Sequence, residues 1–567
     1  MHLGNRIRAI ALASVGLFVI AACGGGSTST GAVNGGTLIY ALDTDATTLN
    51  PFEAGTVPDV RAFQFFFPNL YQANKNLGIV PDLAAGMPTI SADALTYTVK
   101  IRQDAKWSDG TPITADDVVM THRMTANPNL DTDATFDWSP LTDPVTGITK
   151  VDTYTVKYTL SAPFAPFLAV NLTGFVAPAE VYGKIDPAKM RTDPSNDHPA
   201  VTGGPFLYVS RTPGQEIDGK ANPTYYNGRP HFDKLVEKVF TNLTAATQAL
   251  GTGDVNMNAE INGSALDTVK GLSGVNTYVY PDLAYYDVRL NDRAGHLFGD
   301  LAVRQAWLYV IDHDGVVAAS TSGHSTPLYG DLPPASWAYD ASVTPPYPKQ
   351  DVAKAKAMLA AAGWTPGSDG ILQKGGKKFV ADFCVRSDKP ERVKAVTIMA
   401  QQAQAVGMQL AVKTLDFRVF YQSKAKGGCG VYDGTFELAF AGFGLGLDPD
   451  NYTIFSSKFI RPENNPSGAN FGGFSDPNLD AALLAQRVDV KATDAATVAA
   501  RKADFAKVEK ILRDNVVSYF MWSDNVGQGF QSKMQGIVAG GSGNDLNYAD
   551  QDRNVQVFGQ WYFKGGS

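Results

Sequence analysis

The sequence predicts a globular protein of mixed α/β and α+β structure with at least two lobes. The chain has 567 residues, which exceeds the roughly 250 to 300 residues at which a single hydrophobic core stops growing. Hydrophobic residues make up 44% of it and charged residues only 18%, a composition with enough apolar material for large cores. Strand-type and helix-type patterns follow one another without a periodic repeat. The formal net charge of -8 offers no basic surface, so nucleic acid is not an expected partner.

The N-terminus predicts export. Arg6 and Arg8 precede an uncharged apolar stretch from Ile10 to Ala22, the arrangement of a signal peptide over residues 1–22. As a helix this stretch would span only about 20 Å, too short for a hydrocarbon core of about 30 Å. The sequence Ile20-Ala21-Ala22-Cys23 resembles a bacterial lipobox, in which Cys23 becomes the lipidated first residue. The alternative is an ordinary signal peptide that is cleaved nearby.

A flexible tether is expected after Cys23. Residues 23–34 are rich in Gly, Ser and Thr, a composition that favours a random coil. Two further cysteines, Cys384 and Cys429, follow in the body of the chain. They are able to pair outside the cytoplasm, but the sequence does not fix the distance between them, so paired and free forms both stay open.

Alternating apolar residues predict the first strands. Residues 37–42 form the first of them, and Tyr97, Val99 and Ile101 alternate with polar neighbours, which is typical of a half-buried strand. The same pattern recurs from Tyr154 to Leu160. We expect these last two segments to be similar strands of one sheet rather than a repeat.

Capping residues predict the helix starts. Thr114 stands three residues before Asp117, which is the spacing of a capping box, and Ile113 is placed to pack on Val118. Asp300 and Asp351 each precede apolar residues at helical spacing, and Asp476 precedes a proline at the first helical position.

The stretch from Trp107 to Val118, WSDGTPITADDV, closely resembles the signature of family 5 extracellular solute-binding proteins, which include oligopeptide, dipeptide and nickel receptors. Its turn and capped helix indicate a scaffold role for Trp107 and Asp109 rather than ligand contact. Further blocks follow in the family's order over nearly the whole mature chain: Thr48–Pro51, Val80–Ala84, Gly204–Phe206, Asn222–Gly228, Gly253–Val255, Asp300–Ala306, Ala353–Trp364, Asp448–Asn451 and Asp476–Asp480.

The resemblance implies a type II periplasmic-binding-protein-like fold, with two lobes, an extra inserted domain and a ligand cleft between the lobes. Carried over by motif, the first domain comprises residues 35–51, 202–282 and 526–567. The second covers residues 52–201 and the third residues 283–525. The connections near Asp282 and Val526 would act as hinges.

The resemblance also implies ligand-binding residues. Arg386 matches an arginine that holds the ligand's carboxylate, and Phe417 matches a pocket aromatic. Phe443 and Asp448 lie near the position of an aspartate that holds the ligand's amino group, but that position is filled here by Leu445. Leucine cannot accept a hydrogen bond from an ammonium group. Three alternatives stay open. Another acid, such as Asp416, Asp448 or Asp450, holds the amino group; or a peptide binds in a different way; or the ligand is not a peptide.

Each of these assignments has a structural alternative. Arg386 would instead form a surface or structural ion pair, and Phe417 and Phe443 would pack in a core.

As a function, the resemblance implies the substrate-binding lipoprotein of an ABC importer, without catalysis. It would capture a peptide-like solute at the outer face of the cell membrane or in the periplasm, as a monomer that is anchored by its lipid and docks on permease subunits. No cofactor and no metal ion are expected, because the seven histidines show no metal-ligand spacing and no catalytic motif is present. The alternatives are a receptor for an oligosaccharide, haem or a chelated metal, and a sensory or envelope role without transport.

Overall fold

The structure is a computed structural model, and it describes residues 32–42, 44–54, 57–74, 77–132, 138–143, 145–240, 242–261, 263, 265–465, 468–488, 495–537 and 561–564. The predicted signal peptide and Cys23 lie outside the described residues.

Strands occur throughout the part of the chain that the structure describes. In chain order they are β1 (Ala32–Val33), β2 (Thr37–Leu42), β3 (Tyr71–Ala73), β4 (Ile79–Pro81), β5 (Thr89–Ile90), β6 (Thr96–Lys100), β7 (Ile148–Asp152), β8 (Thr155–Thr159), β9 (Phe206–Thr212), β10 (Glu216–Ala221), β11 (Lys234–Val239), β12 (Met257–Ile261), β13 (Val275–Pro281), β14 (Ala284–Leu290), β15 (Ser325–Pro327), β16 (Thr365–Pro366), β17 (Leu372–Lys374), β18 (Lys377–Lys378), β19 (Val380–Arg386), β20 (Gln409–Leu415), β21 (Leu438–Gly444), β22 (Ser518–Gln531), β23 (Met534–Gln535) and β24 (Tyr562–Lys564).

Helices are interspersed with the strands. They are α1 (Val57–Phe63), α2 (Ala115–Thr125), α3 (Phe167–Asn171), α4 (Ala179–Tyr182), α5 (Leu243–Thr252), α6 (Ala265–Lys270), α7 (Leu301–Val310), α8 (His313–Thr321), α9 (Val352–Ala361), α10 (Pro390–Gln404), α11 (Phe417–Phe420), α12 (Tyr452–Phe455), α13 (Pro477–Val488) and α14 (Ala495–Asp514), with 3-10 turns at Pro187–Thr192, Pro194–Asn196, Lys424–Lys426 and Ser457–Phe459.

The largest sheet runs through most of the molecule. Its strands follow the order β20-β19-β21-β14-β22-β12-β2-β11-β10-β9, and β13 and β15 also pair with β22. Parallel and antiparallel pairs both occur, since β2 is parallel to β11 and β14 is antiparallel to β21. The mixed sheet and its helices confirm the predicted fold class.

The long strand β22 is shared by two sets of partners. Its first half pairs with β14 and β15, and its second half pairs with β12 and β13. The change of partner occurs beside Asp282, whose backbone nitrogen donates to the carbonyl oxygen of Asp524 at 3.0 Å. The predicted domain limits and hinges stay a prediction.

A second sheet packs against the segment Trp107–Val118. Strands β5, β6, β8 and β7 form it in that order, and Tyr97 of β6 lies opposite Tyr158 of β8. The two alternating segments are therefore neighbouring strands of one sheet, as predicted. Trp107 is buried in the core of this sheet together with Ile113 and Val118, which fits a scaffold role.

The predicted helix caps are confirmed. The hydroxyl of Thr114 accepts from the backbone nitrogen of Asp116 at 3.2 Å, and the carboxylate of Asp117 accepts from that of Thr114 at 2.8 Å. The carboxylates of Asp300, Asp351 and Asp476 cap α7, α9 and α13 in the same way. Because a cap satisfies backbone N–H groups that the helix leaves unpaired, its position fixes where the helix begins.

Side chains of β14 alternate between the two faces of the sheet, and each face packs in a different hydrophobic core. Val288 and Leu290 point to one face of the sheet and pack with Trp307 and Phe383. Tyr285 points to the other face, where the helices α12, α13 and α14 cover it. Both faces of this strand are thus buried, and the loop after β21 is held between sheet and helices.

A disulfide joins Cys384 and Cys429. Their Cα atoms lie 6.1 Å apart, and both side chains are buried among Phe420, Val431 and Phe436. The pairing that the sequence left open is therefore present, and it ties β19 to the segment that precedes β21.

No helix in the described part of the chain is long and apolar enough to span a membrane.

Candidate functional site

A cavity lined by described residues is large enough for a solute. Its volume is about 400 Å³, within the range of about 300 to 1,000 Å³ that is usual for ligand pockets. The residues that line it come from five separate stretches of the chain: Leu77, Gly78, Ile79, Met87, Ala165, Leu168, Ala169, Ala335, Trp337, Leu447, Asp448, Val498, Arg501 and Lys502. We call residues 77–87 and 165–169 the first wall and residues 335–337, 447–448 and 498–502 the second wall.

The two walls belong to different parts of the fold. The first wall packs around the sheet of β5, β6, β8 and β7, because α3 starts at Phe167 in the core of that sheet. The second wall packs against the helix-covered face of β14, where Trp337 lies in one cluster with Phe505. The cavity therefore lies between two separately formed cores.

Direct contacts join the two parts beside the cavity. The backbone nitrogen of Ala165 donates to the carbonyl oxygen of Arg487 at 2.7 Å. The guanidinium of Arg487 lies 4.6 Å from the ring centroid of Phe164 and 4.4 Å from that of Tyr452. The side chain of Arg487 therefore lies between an aromatic ring of one part and an aromatic ring of the other.

Trp337 is a fixed element of the second wall. Its indole nitrogen donates to the carbonyl oxygen of Leu447 at 3.1 Å. Its ring lies edge-on to Phe505 at 5.6 Å, and the guanidinium of Arg501 lies 5.0 Å from its centroid. The indole is held on several sides, so it presents a preformed apolar surface to the cavity.

Asp448 lines the cavity, but its oxygens are occupied. They accept from the two terminal nitrogens of Arg501 at 2.6 and 2.8 Å. Burial raises the pKa of Asp448, and the hydrogen bonds from Arg501 oppose that shift. The pair is a bidentate structural ion pair.

Asp450 is also committed to structural contacts. Its carboxylate accepts from the side-chain amide of Gln486 at 2.8 Å and pairs with the guanidinium of Arg487 at 3.0 Å. An ammonium group that entered the site would have to displace one of these partners.

Leu445 occupies an apolar environment. It is buried with Tyr285, Tyr452 and Phe520, and its backbone nitrogen donates to the carbonyl oxygen of Leu283 at 3.1 Å. The leucine is therefore part of a core, and an aspartate at this position would have to bury a charge there.

Phe443 lies in a cluster of aromatic rings and an arginine, on the face of the sheet to which Tyr285 points. Its ring is stacked on Phe471 at 6.1 Å, and the guanidinium of Arg289 lies 4.3 Å from its centroid. Arg289 in turn pairs with Asp287 at 2.9 Å, and both side chains are buried. Phe443 connects this cluster to the core that holds Leu445.

Arg386 ends β19 next to this cluster. Its guanidinium donates to both oxygens of Asp388, at 3.0 and 2.6 Å, and its side chain is 21% exposed. Burial raises the pKa of Tyr421, and the charges of Arg289 and Arg386 both oppose that shift. Arg386 therefore lies near Tyr421, and it is not among the residues that line the cavity. The side chain of Phe417 lies outside the described residues.

Volume distinguishes the two regions. The space beside Arg289 and Asp287 holds about 10 Å³, which is about enough for one water molecule. This space is therefore much smaller than the cavity of about 400 Å³ between the two walls. The segment that follows β21, from Leu445 to Asp448, leads from one region to the other.

Among the described residues, no group of three or more His, Cys, Asp or Glu side chains is arranged to hold a metal ion.

Sequence reasoning missed Trp337, Arg501 and the first wall. No motif marks them, because the cavity residues are spread from position 77 to position 502 and only the tertiary structure brings them together. The sequence did contain a signal for Arg289. Asp287 and Arg289 are charged residues two positions apart in a strand that is otherwise without charge.

Comparison with known proteins gives consistent matches. The family model described as bacterial extracellular solute-binding proteins, family 5 middle, matches residues 78–465. The oligopeptide-binding protein AppA of Bacillus subtilis is 26% identical over 467 residues, which cover 80% of each chain.

Solved structures share the fold. That of AppA from Bacillus subtilis in complex with a nonapeptide has a TM-score of 0.75 at 22% identity, covering 94% of this chain and 100% of the other. That of NikZ from Campylobacter jejuni in complex with Ni(L-His) has a TM-score of 0.73 at 24% identity, covering 93% and 99%.

Proposed function

Because the chain belongs to the bacterial extracellular solute-binding proteins of family 5, we propose that it captures a peptide or peptide-like solute for an ABC importer. The observation that carries this proposal is the cavity of about 400 Å³ between two separately formed cores. A site between lobes can close around a solute and exclude water, which strengthens every polar contact inside.

The proposal for the ligand rests on the relatives and on Arg386. AppA of Bacillus subtilis is named an oligopeptide-binding protein, and a peptide ends in a carboxylate. Arg386 holds the carboxylate of Asp388 in a two-pronged contact, so a solute carboxylate would replace that of Asp388 on the guanidinium. In the proposed complex it binds the carboxylate of the solute, with Phe443 and Phe417 near it.

A second candidate is a receptor of the same fold for a solute without an ammonium group. It is favoured by Leu445, which is buried in an apolar core, and by Asp448 and Asp450, which are both engaged by arginines. Such a solute would be a blocked peptide, an oligosaccharide, haem or a chelated metal. A sensory role without transport would be indicated by a gene neighbourhood that lacks permease and ATPase genes.

The proposed location follows from the N-terminus. Lipidation of Cys23 would hold the folded body at the outer face of the membrane, with residues 23–34 as a tether. A monomer with closed lobes would then dock on the permease. Radiolabelled lipid incorporation that is lost in Cys23→Ser tests the anchor.

The proposed role is binding without catalysis. The relatives are named as binding proteins, and a panel of hydrolase assays on the purified chain is expected to stay silent.

Calorimetric titration tests the function. The purified mature chain is titrated with short peptides, with the same peptides acetylated at the N-terminus, and with nickel–histidine. Saturable one-site binding of the peptides supports the first candidate, and binding of only the acetylated peptides or the chelate supports the second. If no solute binds and the chain retains none from its host, the proposed function is wrong.

A further inference from the structure

We infer that the cavity is an apolar subsite, which takes an aliphatic or aromatic group of the solute that carries no positive charge. This inference deepens the proposed function and rests on it for its physiological setting. It concerns the surface between the two walls rather than the neighbourhood of Arg386.

The lining is apolar on both walls. The first wall contributes Leu77, Ile79 and Leu168, and the second contributes Leu447 and Val498 beside Trp337. At about 25 cal/mol per Å² of apolar surface, a hydrocarbon group placed between these walls gains binding free energy without any new hydrogen bond. A strongly hydrated solute would lose water contacts here and find few replacements.

Two residues of the first wall have unusual features. Met87 lines the cavity, and 44% of its surface is exposed. An apolar side chain is therefore accessible to a solute at the cavity. Leu77, also in the lining, has a φ of 62°, a left-handed conformation that costs a leucine roughly 1 kcal/mol or more. Its backbone nitrogen donates to the carbonyl oxygen of Asn74 at 2.9 Å.

The charges in the lining disfavour a cation. Asp448 is neutralised by Arg501, since both its oxygens are used in that pair. Lys502 is exposed and, among the described residues, has no carboxylate within ion-pair distance. Hydrogen bonds from Ser342 are the main cause of the lowered pKa of Asp340, and the charge of Lys502 contributes only a minor part. The cavity therefore carries one excess positive charge and favours a neutral or anionic occupant.

Two fluorescent probes test the inference on the full mature chain. Anilinonaphthalene sulfonate is apolar with one negative charge, and N-phenyl-1-naphthylamine is apolar and neutral. We expect both to bind saturably at one site. Ala169→Phe places a ring in the cavity from the first wall and should weaken both probes at least 10-fold.

Val170→Phe is the matched control. Val170 neighbours Ala169 on α3, is 48% exposed and does not line the cavity, so this variant should bind both probes like the unaltered chain. Val498→Phe fills the cavity from the second wall, which provides a second blocking variant if Ala169→Phe unfolds. Circular dichroism and the unfolding midpoint of each variant report on its fold.

Charge reversal tests the second half of the inference. Lys502→Glu should weaken the sulfonate about 3-fold, the size of an exposed ion pair, and leave the neutral probe unchanged. If folded Ala169→Phe and Val498→Phe proteins bind both probes normally, or if neither probe binds at a single site, the inference is wrong. A solute retained from the host in that case would leave the proposed function standing, whereas probe binding by a chain that captures no solute would overturn the function alone.

Discussion

Arg501 and Asp448 form a bidentate ion pair at the cavity, with nitrogen-to-oxygen distances of 2.6 and 2.8 Å. The two side chains are 1% and 6% exposed. The pair connects α14 to the loop after β21, and its two residues are 53 positions apart in the sequence. It therefore shapes the second wall of the cavity.

Removing one partner of this pair should destabilise the fold. Arg501→Met leaves the carboxylate of Asp448 buried without its partner, which typically costs about 3 to 5 kcal/mol. We expect a clear fall of the urea unfolding midpoint. The double variant Asp448→Leu/Arg501→Met removes both charges and should recover much of that loss. An Arg501→Met protein as stable as the unaltered chain would show that the pair has no structural role.

Arg386→Ala should weaken solute binding by at least about 1.5 kcal/mol, the value of a charge-assisted hydrogen bond. The solute is the one found by mass spectrometry on the native protein, and the affinity is measured by calorimetry. Asp388→Asn is the control, because it removes the internal carboxylate but keeps the guanidinium. Unchanged affinity in Arg386→Ala would remove this arginine from the site and leave it as a structural ion pair.

Glu237 should make the fold less stable as the pH rises. Its side chain is fully buried in β11, and burial raises its pKa well above the usual glutamate range, with Arg211 opposing. The folded state therefore binds a proton that the unfolded state has released, so stability falls with increasing pH above the ordinary glutamate value.

Glu237→Gln removes this titration and should flatten the loss of stability between about pH 5 and about pH 8. Thermal unfolding at both pH values measures it. Glu180→Gln is the control, because the Glu180 side chain is 85% exposed. Equal pH dependence in the unaltered chain and in Glu237→Gln would contradict the argument.

Reduction of the Cys384–Cys429 disulfide should destabilise the chain. The bond joins residues 45 positions apart, and closing a loop of that length in the unfolded state is worth about 4 kcal/mol in the chain-entropy model. Urea unfolding with and without reductant measures the effect. The variant Cys384→Val/Cys429→Ala should not respond to reductant; a response of the same size there would assign the effect to something else.

Local signals made much of the fold predictable. The Thr114–Asp117 capping box and the alternation around Tyr97 depend on residues that are close in sequence, and both are present as predicted. Helix starts follow from unpaired backbone groups, and strand faces follow from the two-residue period, so neither needs tertiary information.

The candidate site was only partly predictable. Asp448 was identified and does line the cavity, but its partner Arg501 lies on α14, and no local pattern connects the two. Trp337 and the first wall belong to two separate hydrophobic cores. A cavity is the space between such elements, and the spacing of residues along the sequence does not determine that space.

The claim that this chain captures a solute between its lobes is tested most directly by native mass spectrometry of protein purified from its own host. The expected spectrum shows a mass above that of the processed polypeptide, and the excess is lost on denaturation and released as one small molecule. A native mass equal to the denatured mass, in protein that also fails to bind any solute by calorimetry, would contradict the claim.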